Sequence, residues 1–289
     1  MNKPKNPLLS VFTVYAICFF FRFIEYFFIQ TDRSFWGEAF IHKLAGIVVL
    51  CVTVKVFSLR AQEIGFIKRD IIKRILQGLV FGFAVFTVAY GVEFALVASR
   101  GGQPALQLYV SSYDVDGNIG NQTGLLFFAI CIFGNIINVV MEEGVFRGLF
   151  QKLLEQKYKF ITSAIIGSVL FGVWHVIAPI RQFTEGGSLG GMLANIAMLI
   201  STSAIVGFQF AIMTKMTGSL YMAMGAHFVN NAIVNMLHMV SDTGVDELMF
   251  VRISIAQMFS VVVVLIVYTM KNPTSAHQAD NVHFPFSHS

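Results

Sequence analysis

The chain has 289 residues, of which 56% are hydrophobic and only 12% are charged, and its formal net charge is +4 at pH 7. Soluble domains carry about 25% charged residues, so this composition excludes an ordinary soluble globular protein. The basic residues form no nucleic-acid-binding motif, and we therefore expect a lipid bilayer as partner and no nucleic acid.

Eight apolar segments are predicted to cross the membrane, because each provides about 20 residues with few charges. They cover residues 7–30, 39–59, 76–98, 124–146, 160–180, 190–214, 217–240 and 249–270. The predicted fold class is therefore all-α, a polytopic membrane helix bundle with about eight transmembrane helices. The first segment is too long for the core of a signal peptide, and no small-residue cleavage site follows it, so we expect it to be retained.

The distribution of basic residues predicts the orientation of the chain. Six Lys or Arg residues occur within 55–74 and four within 147–159, whereas 100–122 contains one Arg and 241–248 contains none. Because Lys and Arg near helix ends favour the cytoplasm, the pattern predicts an integral, multi-pass membrane protein with both termini in the cytoplasm.

Charged residues inside apolar segments are where function is expected, because a charge at the bilayer centre costs about 2.5–3.5 kcal/mol or more. Arg22 and Glu25 are three residues apart and are neighbours on a helix surface. We interpret them as a self-neutralising pair that orients the first helix. A larger set of polar residues lies on the fourth, fifth and seventh segments, within EEGVFR (142–147), FGVWH (171–175) and HFVNN (227–231).

Helix geometry predicts that this larger set converges on one depth. The fourth and fifth segments are joined by a short turn near Tyr158, and Glu142 and His175 lie 16 and 17 residues from it. At 1.5 Å per residue, an antiparallel hairpin places both at about 25 Å from the turn. His227 lies near the middle of the seventh segment, so a shared site within the membrane is geometrically plausible.

The facing of these side chains separates the two adjacent glutamates. Glu143 and Arg147 form an i, i+4 pair that can neutralise each other, whereas Glu142 points to the face that carries Asn138. We therefore expect Glu143 to be the anchored glutamate and Glu142 the available one. In the seventh segment, one polar stripe contains His227, Asn231 and Asn235.

The three motifs occur in order on separate segments, as EExxxR, FxxxH and HxxxN. This combination resembles the CAAX-protease and bacteriocin-processing (CPBP, or Abi) family of intramembrane proteases. The resemblance implies an endopeptidase that hydrolyses a peptide bond of a membrane-associated peptide or lipidated protein. The substrate class is either a prenylated CAAX-type protein or a bacteriocin- or signal-peptide-type substrate.

The resemblance also implies a role for each residue at a motif position. Glu142 corresponds to the catalytic glutamate, and His175 to its partner in activating a water molecule. His227 and Asn231 correspond to the pair that stabilises the oxyanion. The supporting positions are Glu143 and Arg147. By these positions the catalytic core lies at about 124–240 of a single transmembrane domain, 1–271, and 272–289 is expected to be a disordered cytosolic tail.

Metal dependence stays open at this point. Glu142, His175 and His227 could supply the three protein ligands of a catalytic zinc, but the sequence contains no HExxH motif that would place two ligands on one helix. The family has been described both as metalloproteases and as metal-independent glutamate proteases. The cofactor is therefore unknown, with zinc as the candidate.

Two other classes of function are compatible with buried polar residues. In a secondary transporter or proton relay, Glu142, His175 and His227 would carry protons or ions. The sequence shows no inverted repeat and no paired broken helices, which counts against this class. A non-catalytic membrane immunity or scaffold protein could also keep the family's residues.

Overall fold

Apolar helices make up most of the structure, a computed structural model that describes residues 4–111, 120–241 and 244–271. The predicted all-α membrane helix bundle is confirmed. The tail 272–289, predicted to be disordered, lies outside the described residues.

The elements follow one another with short connections. The helices are α1 (Pro7–Ile24), α2 (Ile41–Val56), α3 (Ile71–Ser99), α4 (Leu125–Glu142), α5 (Gln151–Leu154), α6 (Phe160–Trp174), α7 (Ile177–Thr184), α8 (Leu189–Thr217), α9 (Tyr221–Met236) and α10 (Met249–Lys271). A π-helical turn, Glu25–Ile29, extends α1, and a longer π-helix, Glu143–Phe150, joins α4 to α5. Single 3₁₀ turns cover Thr31–Arg33 and Ala61–Ile64. Two short strands, β1 (Ala105–Leu108) and β2 (Leu237–Val240), pair antiparallel with Ala105 opposite Val240.

Six helical segments in the described part of the chain are long and apolar enough to cross a membrane. They are Pro7–Arg33, Ile71–Ser99, Leu125–Leu154, Phe160–Thr184, Leu189–Thr217 and Met249–Lys271. The other two predicted spans correspond to α2 and α9, which have 16 residues each. Sixteen residues of helix reach about 24 Å, less than the hydrocarbon core of about 30 Å. The predicted count of about eight is therefore not confirmed.

The short helix α9 is held in the bundle by a close crossing with α3. A Cβ atom on Gly78 of α3 would lie 2.1 Å from the Met222 carbonyl oxygen, and one on Gly225 of α9 would lie 2.5 Å from the Ile75 carbonyl oxygen. The two backbones therefore touch directly, which only glycine permits at these positions. Close backbone approach at small residues is a common way to associate helices inside a membrane.

An ionic cluster lies at the C-terminal end of α9. The Arg252 guanidinium binds Glu93 Oε2 at 2.6 Å and Asp246 Oδ2 at 2.6 Å. His238 Nδ1 lies 3.1 Å from the same Asp246 oxygen, and the His238 ring stacks on Tyr109 with centroids 3.9 Å apart. These contacts tie α3 and α10 to the strand that follows α9, so they fix where α9 ends.

The crossing of α3 and α9 predicts that alanine destabilises the protein at one glycine of α3 and not at another. Gly78→Ala should destabilise the protein by about 1–3 kcal/mol, because the new methyl group meets backbone atoms that cannot rotate away. The matched control is Gly91→Ala on the same helix, where a Cβ would meet nothing within 4 Å. Unfolding in detergent, followed by circular dichroism, measures both variants. Equal stability of the two would contradict the backbone contact.

Candidate active site

The EEGVFR motif lies where α4 changes into a π-helix. Glu142 is the last residue of α4, and all eight residues of Glu143–Phe150 are buried. Two glycines let neighbouring segments approach this π-helix. A Cβ on Gly144 would lie 2.7 Å from Leu50, and one on Gly148 would lie 2.7 Å from the Ile64 carbonyl oxygen. Because π-helical turns are rare and are often found at functional sites, this segment is a candidate active-site element.

The hairpin between α4 and α6 has the predicted register. The Trp174 indole Nε1–H donates to Glu142 Oε1 at 3.0 Å, and the two residues are equally far from Tyr158 along the chain. The matched depth predicted from helix rise is therefore confirmed. Trp174 itself was not among the predicted site residues, although an indole N–H in an apolar helix needs a partner.

Glu142 is buried and has polar neighbours at both carboxylate oxygens. Its side chain is only 3% exposed. Trp174 contacts Oε1, while Asn138 Nδ2 donates to Oε2 at 3.3 Å, as expected for residues on one helix face. His227 Nε2 lies 3.6 Å from Oε2. The carboxylate is thus fixed in one orientation by groups from three helices.

Glu143 is the anchored glutamate, as predicted. Its Oε1 lies 3.2 Å from Arg147 Nη1, and the Arg147 guanidinium lies 3.9 Å from the centre of the Phe171 ring. The same oxygen lies 2.8 Å from His227 Nδ1, a contact that the sequence did not predict. An ionised carboxylate can only accept, so Nδ1 carries a proton and Nε2 is the nitrogen that faces Glu142. Phe210 stacks on the His227 ring at 5.0 Å.

His175 ends α6 and leaves one ring nitrogen available. Its Nδ1 lies 2.8 Å from the Phe171 carbonyl oxygen. A carbonyl only accepts, so Nδ1 carries the proton and Nε2 presents a lone pair. The side chain is half-buried, and Nε2 has no hydrogen-bond partner among the described residues. His175 also interacts electrostatically with Glu142.

Asn231 lies one helical turn after His227 on α9 and is half-buried. Its Oδ1 accepts a hydrogen bond from Asn230 Nδ2 at 3.2 Å. Within the described part of the chain its own amide N–H₂ group has no partner. A free donor therefore follows His227 on the predicted polar stripe.

The predicted zinc ligands do not form a metal-binding group. Within residues 4–111, 120–241 and 244–271, no three His, Cys, Asp or Glu side chains are arranged to hold a metal ion. Glu142, His175 and His227 therefore do not fit a three-ligand zinc site in this arrangement, although Glu142 and His227 face each other.

The predicted ion pair between Arg22 and Glu25 is wrong. In the described structure both residues contact His42 instead, Glu25 at Nδ1 and Arg22 Nη1 at Nε2, the latter at 3.2 Å. The physical reason is that α2 begins beside α1, which brings His42 within reach of both side chains. Arg22 also lies against Trp174.

Because the Glu143–Arg147 pair is buried, removing one charge should destabilise the protein more than removing both. Arg147→Met should destabilise by about 3–5 kcal/mol, because it leaves the Glu143 charge buried without its cation. The double variant Glu143→Gln/Arg147→Met should be more stable than Arg147→Met alone, since it removes both charges.

The matched control is the exposed pair of Arg60 and Glu63, which are 3.3 Å apart. Arg60→Met should leave stability nearly unchanged, because an ion pair at the surface contributes little. Denaturant unfolding in detergent compares the four proteins, and a double variant less stable than Arg147→Met would contradict the pairing.

Comparison with known proteins gives one family match. Residues 124–233 match the model of the family described as Type II CAAX prenyl endopeptidase Rce1-like. The matched segment runs from α4 into α9 and contains all six residues at the motif positions. Over this segment the match confirms the resemblance drawn from the motifs and supports an intramembrane protease function. A search of the curated proteins finds no match.

Proposed function

We propose that the protein is an intramembrane endopeptidase in which Glu142 and His175 activate a water molecule to attack a peptide bond. One observation carries the proposal. Glu142 is a buried carboxylate with Trp174 at one oxygen and Asn138 at the other, while His175 Nε2 is unprotonated and free. Glu142 can therefore act as a general base, and His175 is a second proton acceptor at the same depth of the hairpin.

The chemistry follows from the atoms present. Hydrolysis without a Ser or Cys nucleophile needs a group that takes a proton from water and a donor that stabilises the oxyanion. Glu142 takes the proton as the water oxygen bonds to the substrate carbonyl carbon. His175 Nε2 accepts a hydrogen bond from the water and so orients it. When the C–N bond breaks, the proton that Glu142 took from the water is passed through His175 Nε2 to the departing amine nitrogen.

His227 and Asn231 are the proposed oxyanion donors. Glu143 holds His227 Nδ1 at 2.8 Å, so the ring cannot turn, and a cationic ring would donate from Nε2 towards the site. The unpartnered N–H₂ group of Asn231 is the second donor. Such donors can be worth about 2.7–4 kcal/mol each in the transition state.

The proposed substrate is a lipidated protein or peptide held at the membrane, and the description of the matched family favours a prenylated CAAX-type C-terminus over a bacteriocin- or signal-peptide-type substrate. We assign no step to a metal, since no three His, Cys, Asp or Glu side chains within the described residues are arranged to hold one. The proposed domain is 1–271, with its core at 124–240. We propose that α2 and α9 also cross the membrane, which places both termini in the cytoplasm together with the basic loops 55–74 and 147–159.

Cleavage of a prenylated CAAX peptide by purified protein in liposomes tests the proposal. Glu142→Gln and His175→Asn should each lower kcat at least about 100-fold, because each removes a proton acceptor. The control Glu155→Gln changes an exposed glutamate and should leave kcat unchanged. Undiminished cleavage by Glu142→Gln would contradict the enzyme assignment. Proton flux through the liposomes without cleavage would favour a transporter.

A further inference from the structure

A buried polar cluster connects the first two helices to the candidate active site. It begins with Glu25, which is 0% exposed and lies in the π-helical turn after α1. Glu25 Oε1 accepts from the backbone N–H of Ile41 at 2.9 Å, and Oε2 accepts from the backbone N–H of His42. These are the first two residues of α2, whose N-cap residue supplies no side-chain hydrogen bond. The Glu25 carboxylate therefore caps α2 from the neighbouring helix.

The same carboxylate sets the tautomer of His42. The Glu25 Oε2 atom also contacts the His42 ring at Nδ1. Because the carboxylate accepts, Nδ1 carries the proton, and Nε2 presents its lone pair to Arg22. Arg22 Nη1 donates to that lone pair at 3.2 Å. His42 is fully buried and Arg22 is only 6% exposed, so both are held away from solvent and lipid.

Arg22 links this cluster to Trp174 through a contact with the indole ring. The Arg22 guanidinium carbon lies 4.7 Å from the centre of the Trp174 ring, within the range of a cation–π contact. The His42 ring lies 5.7 Å from the same indole. Trp174 is fully buried, and its N–H donates to Glu142. The Arg22 charge also interacts electrostatically with Glu142 and His175.

We propose that Arg22, held by His42 and Glu25, is a positioning residue that fixes the Trp174 indole and thereby aims its N–H at the Glu142 carboxylate. This inference rests on the proposed endopeptidase function. Trp174 is the last residue of α6, where the helix changes into a turn before α7, so the direction of its indole depends on the side chains packed around it. Arg22, His42 and Glu25 lie outside the segment matched by the family model, 124–233. The first two helices would thus contribute directly to the activity of the core.

The chain offers a spectroscopic test that does not depend on activity. It contains two tryptophans, Trp36 and Trp174. Trp36 is 49% exposed and packs against Phe35 and Phe40, so Trp36→Phe leaves Trp174 as the single tryptophan. In this background the emission of Trp174 should shift in Arg22→Met, in His42→Leu and in Glu142→Gln, because each alters a group in contact with the indole or with its support.

The kinetic test uses the same variants with a matched control. Arg22→Met and His42→Leu should lower kcat roughly 10- to 100-fold, since a small displacement of a reacting group has effects of that size. KM should change less than about threefold, because neither residue touches the substrate. His42→Gln, which keeps a donor and an acceptor, should recover part of kcat. The control Thr53→Val removes a buried hydroxyl from the same helix and should change neither kcat nor the emission.

The outcomes separate this inference from the proposed function. If the Trp36→Phe protein cleaves and Arg22→Met leaves both kcat and emission unchanged, the positioning role is wrong. If the Trp36→Phe protein does not cleave, the proposed function fails, and the Trp174 emission of Arg22→Met and Glu142→Gln still decides whether the cluster holds the indole. If Arg22→Met or His42→Leu does not fold, Arg22→Gln and His42→Ala take its place, and unchanged emission and kcat in both would overturn the inference.

Discussion

The hydrogen bond from the Trp174 indole to the Glu142 carboxylate is the contact on which the rest of the site depends. A carboxylate buried among apolar helices is unstable unless its oxygens are hydrogen-bonded. The Trp174–Glu142 bond meets that requirement across two helices, and it also fixes the register of the hairpin between α4 and α6. Because the register is fixed, His175 follows at the depth of Glu142, and α9 brings His227 to the other carboxylate oxygen. The Trp174–Glu142 hydrogen bond therefore both stabilises the fold and orients the proposed catalytic base.

Much of this site could be predicted from the sequence, because helix rise and facing are regular. The distances of Glu142 and His175 from Tyr158 predicted their common depth, and the i, i+4 spacing predicted the pairing of Glu143 with Arg147. The second contact of Glu143, with His227 Nδ1 at 2.8 Å, could not be predicted, since it depends on how α9 lies against the π-helix.

One expectation was wrong and another is not confirmed. Apolar length alone predicted about eight spans, and that count is not confirmed, because α2 and α9 have only 16 residues each. The apolar run of α9 passes into β2 at Leu237, where strand pairing ends the helix. Arg22 and Glu25 satisfied a helix-spacing rule, yet tertiary contacts with His42 replaced the local pair. Local spacing shows which residues can meet, and the packing of other helices decides which ones do.

Buried charge inside this membrane protein is not confined to the proposed active site. Arg252 binds Glu93 and Asp246 at the far end of α9, and within the described residues both ring nitrogens of the neighbouring His238 have partners. The active-site candidate differs in having available groups, namely Nε2 of His175 and the amide of Asn231, beside a carboxylate that is already oriented. The active-site candidate is therefore distinguished by free polar groups beside an oriented base, and not by buried charge alone.

The cleavage rate of Trp174→Phe tests the central contact most directly, because phenylalanine keeps an aromatic ring against Arg22 and lacks the N–H that reaches Glu142. A hydrogen bond to a charged group contributes about 1.5–3 kcal/mol, so kcat should fall about 10- to 100-fold while the unfolding transition in detergent stays cooperative. An unchanged kcat in a folded Trp174→Phe protein would contradict the account.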